Sequence, residues 1–380
     1  MKANQIPGTS DLPAGLRKSR LLLATAGGTM SAATKIVEGL EDETALLHAD
    51  HHRLARCGLR PALIEKLLDL RARHAHEAHE EEVLRRGGWV AVHGEESFPE
   101  SLITIPAAPA ALFGRGTLPD RDQPVVAIIG SRRCTPEGRR LAREMAYELA
   151  RAGVAIVSGL ARGIDSAALR GTLSGGAPAL GVLGSGFDFI YPPENRGLFE
   201  EVAAQGALIS EFTLGTAPQR GLFPRRNRLI SGLALGVLVV EASDKSGTLI
   251  TVDHAIAQGR VVMAVPGLVG PACFQGTNRL VRDGAQVILS VEDIVLSLGL
   301  SPARSTRADR DASAAPSRPD PSVPDTAVLA ACGDEAMTPD AIAAATGLPV
   351  RQVLAILARL EMEDRIERHP GALYLGKTRK

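Results

Sequence analysis

The stretch VVAIIGSRRCTPE, running from Val125 to Glu137, decides the fold. Its first five residues are apolar without alternation, as expected of a strand covered on both faces. Gly130 ends the run. Thr135 has the chemistry of an N-cap, and Pro136 suits the first turn of a following helix, where its missing N–H costs nothing. The stretch therefore reads as strand, loop, helix, and the loop lies at a helix N-terminus. Free backbone N–H groups and the helix dipole favour an anion there. Gly130 permits close backbone approach, Ser131 supplies a hydroxyl, and Arg132 or Arg133 offers a two-pronged grip on phosphate.

The same alternation extends outward. Short β-branched runs at Val154–Val157, Leu180–Leu183, Ala207–Ser210, Val237–Val240, Val261–Val265 and Val287–Leu289 are separated by helical stretches such as Glu137–Ala152, Asp165–Thr172 and Thr248–Gln258. This pattern predicts an α/β domain over residues 116–300 with a doubly wound, mostly parallel sheet. A second junction, Ser158-Gly159-Leu160-Ala161-Arg162-Gly163-Ile164-Asp165, again sets glycines before a helix. Both loops leave the carboxyl edge of such a sheet, so they can share one ligand. Neither is G-x-G-x-x-G, and G-x-x-x-x-G-K-[ST] is absent; Lys245-Ser246-Gly247-Thr248 has related residues in another order. Ordinary dinucleotide binding and P-loop hydrolysis lose support.

A third feature is Gln219 to Ile230, QRGLFPRRNRLI. Between Phe212 and Val240 there are four arginines and no acid. Lys+Arg and Asp+Glu both number 43, so net charge argues for no polyanion partner and any nucleic-acid surface must be local. Phe223 is placed to stack a base while the arginines hold phosphates. That combination suits single-stranded nucleic acid, where stacking contributes ~1–3 kcal/mol per base. The alternative is that Phe223 belongs to the core and the arginines pair with acids elsewhere. With only 8 Phe, 3 Tyr and 1 Trp, the composition limits any site built on several stacking rings.

The flanks differ in composition. Residues 1–115 are rich in Ala, Leu, Arg and His, and Leu54, Leu59, Leu63, Leu67 and Leu70 suit short amphipathic helices, one of them opened by Pro61. Trp89–Phe113 reads as a connector packed onto the next domain. Six of the nine histidines lie between His48 and His79. His74, His76 and His79 alternate with Glu and Ala, which favours a solvated helical face over a metal site. Residues 301–325, rich in Ser, Ala, Pro, Arg and Asp, read as a flexible linker. Residues 326–380 have a winged-helix pattern: helices at Thr326–Cys332, Thr338–Thr346 and Val350–Glu363, then two strands around Pro370-Gly371. The third helix carries Arg351 and Arg359 against Glu361, Glu363 and Asp364, too few cations for several duplex phosphate contacts, so a protein-contact or regulatory role is favoured.

Catalytic and metal signatures are missing. There is no G-x-S-x-G. His254 sits within a helix as a structural residue, and Asp165, Glu241 and Asp253 have no metal spacing. Cys57, Cys134, Cys273 and Cys332 stand singly with no C-x-x-C, which fits a reducing cytoplasm. No stretch reaches the ~18 apolar residues of a membrane span. Arg17-Lys18-Ser19-Arg20 with Leu21–Ala26 reads as an ordinary helix start rather than a secretory signal. The expectation is a cytoplasmic protein without cofactor, metal or membrane partner.

In order along the chain, many segments resemble the DNA-processing protein A family (DprA, also called Smf). They are Phe98-Pro-Glu-Ser-Leu102 with Pro109-Ala-Ala-Leu-Phe-Gly114, Gly130-Ser131-Arg132, and Ser158 to Asp165. Gly184-Ser-Gly186 follows with Tyr191-Pro-Pro-Glu-Asn195, then Phe223 to Ile230, Glu241 to Thr251, and Gly276-Thr277-Asn278. The resemblance covers roughly residues 85 to 295, and more loosely both ends. It implies an extended Rossmann-like domain that binds single-stranded DNA, dimerises, and helps load the RecA recombinase on incoming DNA during natural transformation, without catalysis. It also implies that the N-terminal helices form a sterile-alpha-motif-like domain. By position, Gly130, Ser131 and Arg132 would cradle a phosphate, helped by Gly159 and Gly163. Phe223, Arg225, Arg226, Asn227 and Arg228 would line the DNA groove, and Thr277 and Asn278 would close the pocket. In the Tyr191–Asn195 loop a basic residue can follow the proline; here Pro193 stands there, so that contact is not carried over. A different class remains open, a Rossmann-type nucleotide phosphoribohydrolase, whose glycine-rich motif is approached only by Ser246-Gly247-Thr248.

Overall fold

The structure, a computed structural model, describes residues 12–300, 328–329, 331–332, 337–363, 365–369 and 373–376. Five helices come first: α1 (Ala14–Thr25), α2 (Met30–Leu40), α3 (His51–Arg56), α4 (Pro61–Ala72) and α5 (Ala75–Arg85). Strands β1 (Gly88–Val92) and β2 (Ala111–Gly116) follow. The alternating region then runs β3 (Val125–Ile129), α6 (Pro136–Arg151), β4 (Ala155–Ser158), α7 (Ile164–Gly175), β5 (Ala179–Val182), α8 (Arg196–Gln205) and β6 (Gly206–Ser210). It continues through α9 (Leu222–Leu233), β7 (Gly236–Val239), α10 (Thr248–Ala257), β8 (Val261–Ala264), α11 (Ala272–Arg282), β9 (Gln286–Val287) and α12 (Val291–Ser297).

All nine strands form one sheet in the order β1-β2-β6-β5-β4-β3-β7-β8-β9. From β6 to β9 every pairing is parallel, while β2 runs antiparallel to both β6 and β1. The expected doubly wound, mostly parallel sheet is present. The chain winds from β3 towards β6, then crosses back to lay β7 on the other side of β3. The switch point of the topology therefore lies between β3 and β7, where crevices for ligands open at the carboxyl edge.

Period-two alternation sorts the strand residues between two layers. Val126 and Ile128 pack with Ala142, Met145 and Leu149 of α6 and Ile164 of α7. Ala127 and Ile129 pack on the opposite face with Leu229, Ile230 and Leu233 of α9 and Val252 and Ala255 of α10. A third cluster joins Leu21–Leu23 of α1, Ile36 of α2 and Leu67 of α4 to Phe113 of β2 and Leu198, Phe199 and Val202 of α8.

Two expectations are corrected here. Trp89–Phe113 is not merely a connector, because its two ends are strands paired from Gly88↔Arg115 to Val92↔Ala111, and β2 continues the sheet through β6. The histidine-rich helix is not uniformly solvated: His76 is 1% exposed, and the His79 ring meets Phe113 edge-on at 4.7 Å. His76, His79 and Val83 share one face of α5 at i, i+3 and i+7, so imidazole plates serve as packing surface. Only His74 of the three lies on the solvated side.

The C-terminal unit is separate in its contacts. Its helices α13 (Pro339–Thr346) and α14 (Val350–Met362) precede β10 (Ile366–His369) and β11 (Leu373–Gly376), an antiparallel pair to which Met337 adds a bridge at Tyr374. Val353, Ile356, Leu357 and Leu360 of α14 share a core with Ile342, Ile366 and Tyr374, as a winged helix requires. The helix expected at Thr326–Cys332 lies only partly within the described residues, and the 301–325 segment lies outside them. All four cysteines are free thiols, and no described helix is long and apolar enough to cross a membrane.

Candidate functional site

A cavity of about 610 Å³ opens at the carboxyl edge where β3 and β7 diverge. Five segments wall it: the loop after β3 (Ile129–Arg133), the start of α7 with Ala161 and Asp165, Tyr191 from the loop between β5 and α8, Arg220 with the first turns of α9, and Ser246–Thr251 at the start of α10. Its size is that of a ligand site rather than a packing defect.

The loop after β3 is built as its sequence suggests. Thr135 caps α6, its hydroxyl accepting from the Gly138 N–H at 3.0 Å, with Pro136 in the first turn. Glu241 at the end of β7 completes this cap. Its backbone carbonyl accepts from Ser131 N at 2.8 Å, and its carboxylate accepts from Thr135 N at 2.9 Å and from the Thr135 hydroxyl. Glu241 thus holds the Gly130–Arg133 loop in shape, a role invisible when it is counted only as an isolated acid.

Gly163 and Gly159 explain how the second loop closes on the first. Gly163 has φ of +79°, and a Cβ there would stand 2.3 Å from the Ser131 carbonyl oxygen. Only glycine meets both demands. A Cβ on Gly159 would lie 2.7 Å from both Arg226 Nη1 and Asp165 Oδ2. Gly159 thereby lets Arg226 enter from α9. Arg226 Nη1 donates to the carbonyls of Gly159, at 2.9 Å, and of Val182, while Gly159 N donates to Asp165 Oδ2 at 3.1 Å. Burial pushes the Arg226 guanidinium down to about 10 and the Asp165 carboxyl upward, since each charged form loses water. At neutral pH Arg226 still carries a charge beneath the pocket floor.

Arg132 and Arg226 flank one ring. Their guanidinium carbons lie 5.5 and 6.0 Å from the centroid of Phe223, which is half-buried on the pocket wall. Tyr191 leans on the same ring at 5.5 Å with 39° between planes and is 45% exposed. The accessible stacking face is therefore Tyr191 at least as much as Phe223. Pro193 removes the basic contact that this loop can offer, and the neighbouring Tyr191 is the side chain through which the loop reaches the site. Exposed Arg132, Arg133 and Arg220, with Asn227, complete a wall whose one acid among the described residues is the buried Asp165.

Other expected residues lie elsewhere. Arg228 is buried and grips both carboxylate oxygens of Glu211 at 2.7 Å, and Arg225 reaches Glu211 at 3.3 Å and the Gly27 carbonyl at 2.9 Å. For these two the alternative reading holds: they pair with an acid, one residue upstream of the acid-free window. Thr277 and Asn278, expected to close the pocket, do not line it. Thr277 is buried and donates to the Phe274 carbonyl, and Asn278 clamps both N–H and C=O of Gly267 at 2.9 and 3.1 Å. They order α11, whose Gly276 N donates at 2.8 Å to Ala242 in the loop after β7. Among the described residues no three His, Cys, Asp or Glu side chains converge as a metal site would need.

The family model described as DNA recombination-mediator protein A matches residues 89–299, which span the sheet from β1 to α12 and every wall of this cavity. The chain belongs to that family. A second model, the DprA winged helix domain, matches residues 312–372. This family member is 35% identical over 312 residues to Protein Smf of Synechocystis sp., covering 74% of this chain and 78% of that one. Its structure is similar to the X-ray structure of DNA processing protein A (DprA) from Streptococcus pneumoniae, with a TM-score of 0.63 and 29% identity over 75% of this chain and 98% of the other. It is also similar to DNA processing protein A from Helicobacter pylori, solved for its unique single-stranded DNA binding mode, with a TM-score of 0.50 and 30% identity over 56% and 95% of the two chains.

Proposed function

We propose that this DNA recombination-mediator protein binds single-stranded DNA without chemically altering it, and that the cavity between β3 and β7 is where the strand is gripped. The observation that carries this reading is the convergence of Arg132, Arg226, Phe223 and Tyr191, two cations and two rings in tilted contact at one sheet edge. Cations that track phosphates beside aromatic faces are the chemistry of unpaired strands. The Helicobacter pylori relative binds single-stranded DNA, which supports carrying that ligand over. Ser131 and the backbone of Gly130 line the phosphate end, while Gly159 and Gly163 shape it and Asn227 borders the bases. Arg228, Thr277 and Asn278 act at one remove, by holding α9 and α11.

The same reading places the protein upstream of RecA, as a homodimer that delivers a bound strand during DNA uptake. The winged helix is assigned a protein-contact or regulatory role. On its third helix, Glu361 and Glu363 are exposed beside Arg359, a balance that does not favour duplex phosphates.

The test is an anisotropy titration of the full chain with single-stranded and duplex oligonucleotides of equal length. The single strand should bind more tightly, with affinity falling as salt rises because counterions are released. Equal competition by duplex, whose bases cannot reach Tyr191 or Phe223, would overturn the reading. So would release of free base from a nucleoside monophosphate at this cavity.

A further inference from the structure

Helix α9 is a partition with two occupied faces. Phe223, Arg226, Asn227 and Ile230, spaced i, i+3, i+4 and i+7, face the cavity described above. Leu222 and Arg225 face a second cavity of about 330 Å³, between α9 and the N-terminal helices α1 and α4. From α4 come Arg60, its N-cap residue, with Leu63 and Lys66 at i+3 and i+6 on one side of the helix.

We propose that this second cleft is a phosphate subsite for the same single strand, formed by Arg60, Lys66 and Arg225 from two different parts of the fold. The proposal rests on the single-strand reading above and extends the track beyond the sheet edge. Three cations line the cleft, and the one acid on its wall among the described residues is Glu211. That single carboxylate is shared by two arginines, with both oxygens held at 2.7 Å by Arg228 from outside the cleft and Arg225 reaching it at 3.3 Å, so nothing on the wall is left to balance Arg60 and Lys66. Arg60 and Lys66 form no ion pair among the described residues and both are exposed. The cleft therefore carries uncompensated positive charge. Its effect is felt at Lys66, whose ammonium is pushed below its usual range by partial burial and by the facing Arg225 guanidinium. Like charges held together in this way are relieved by an anion.

The geometry also favours a strand over a free ion. The N-terminus of α9 has no side-chain cap, and its positive dipole end stands between the two cavities. A helix is ~10–12 Å across, so both faces of α9 are within reach of a strand that passes over its first turn.

The experiment measures binding of labelled oligothymidylates of ~6 and ~20 nucleotides, near the lower end and beyond the usual span of a cationic groove. The double substitution Arg60→Ala, Lys66→Ala should leave the short strand within ~2-fold of wild type and weaken the long one by ~10-fold or more. For the long strand, the slope of log affinity against log salt should become shallower by about 1.4, two contacts at ~0.7 each. Lys66→Glu should weaken long strands further, and Lys66→Arg should preserve them. Arg132→Ala, by contrast, should weaken both lengths. A double variant that binds the long strand normally with an unchanged slope, or that loses both lengths equally, overturns the second subsite alone. A wild-type chain that binds neither oligomer overturns this proposal and the function it rests on.

Discussion

At the scale of single residues, the site separates arginines by what their guanidinium groups already hold. Arg226 is buried, anchored through Nη1 to two carbonyls, and lends its charge from below, while Arg132 is exposed and over an aromatic face. Arg132→Ala should therefore cost roughly 1.5–3 kcal/mol of single-strand affinity, the range of a charge-assisted contact. An unchanged dissociation constant would remove Arg132 from the strand's path. Arg228 belongs to the fold instead. Glu211→Ala strands its buried guanidinium and should lower unfolding free energy by about 3–5 kcal/mol, as read from urea denaturation. Four arginines in twelve residues looked like one patch in the sequence. The acid that divides them sits at position 211, brought beneath α9 only by folding, so the local window could not reveal it.

Elements differ in how openly their sequences declare them. The central strands β3, β4 and β7 are short β-branched runs buried on both faces, and local composition suffices to find them. Strand β1 (GWVAV) opens on a glycine and three of its five residues are only partly buried, while β2 (ALFGRG) is interrupted by glycine; their pairing with each other and of β2 with β6 is a long-range fact. The loop at Gly130 was legible because capping is local, whereas Glu241 reaches it from over a hundred residues away. Helix α5 misled through composition, since His76 and His79 face inward. Burial holds both imidazoles below their usual range, outweighing the pull of Glu77 on the first and of Asp188 and Glu80 on the second. The native state thus favours neutral rings, while the unfolded chain takes up protons near pH ~6.5. Stability should be full above that pH and fall as the pH drops below it, levelling off under the native-state values. Denaturant midpoints between pH 7.5 and 5 check this, and His76→Leu should flatten the slope; a midpoint independent of pH would contradict it.

For the molecule as a whole, the sheet ends differently on its two sides. The β9 side is a two-residue strand followed by Leu289 at 75% exposure, with Leu296 of α12 at 78%. Exposed aliphatic side chains beside an unpaired strand edge suit association with a second copy. Leu289→Glu with Leu296→Glu should convert a dimer to monomer in sedimentation equilibrium without altering far-ultraviolet dichroism. If the mass is unchanged, the proposed dimer forms elsewhere.

The other side ends in β1 and β2, and their place has a practical consequence. A fragment trimmed to start at residue 116 would leave β6 as a naked sheet edge, still paired with β5 on one side but with five buried residues and no polar or charged guard except Ser210. It would also strip Arg225 and Arg228 of the carbonyls of Gly27 and Ala107. Such a truncation should precipitate or oligomerise through its naked edge, and light scattering against a piece retaining residues 12–300 would show it. Whoever wants the smallest soluble portion of this chain must keep the upstream helices and the hairpin-like pair that follows them.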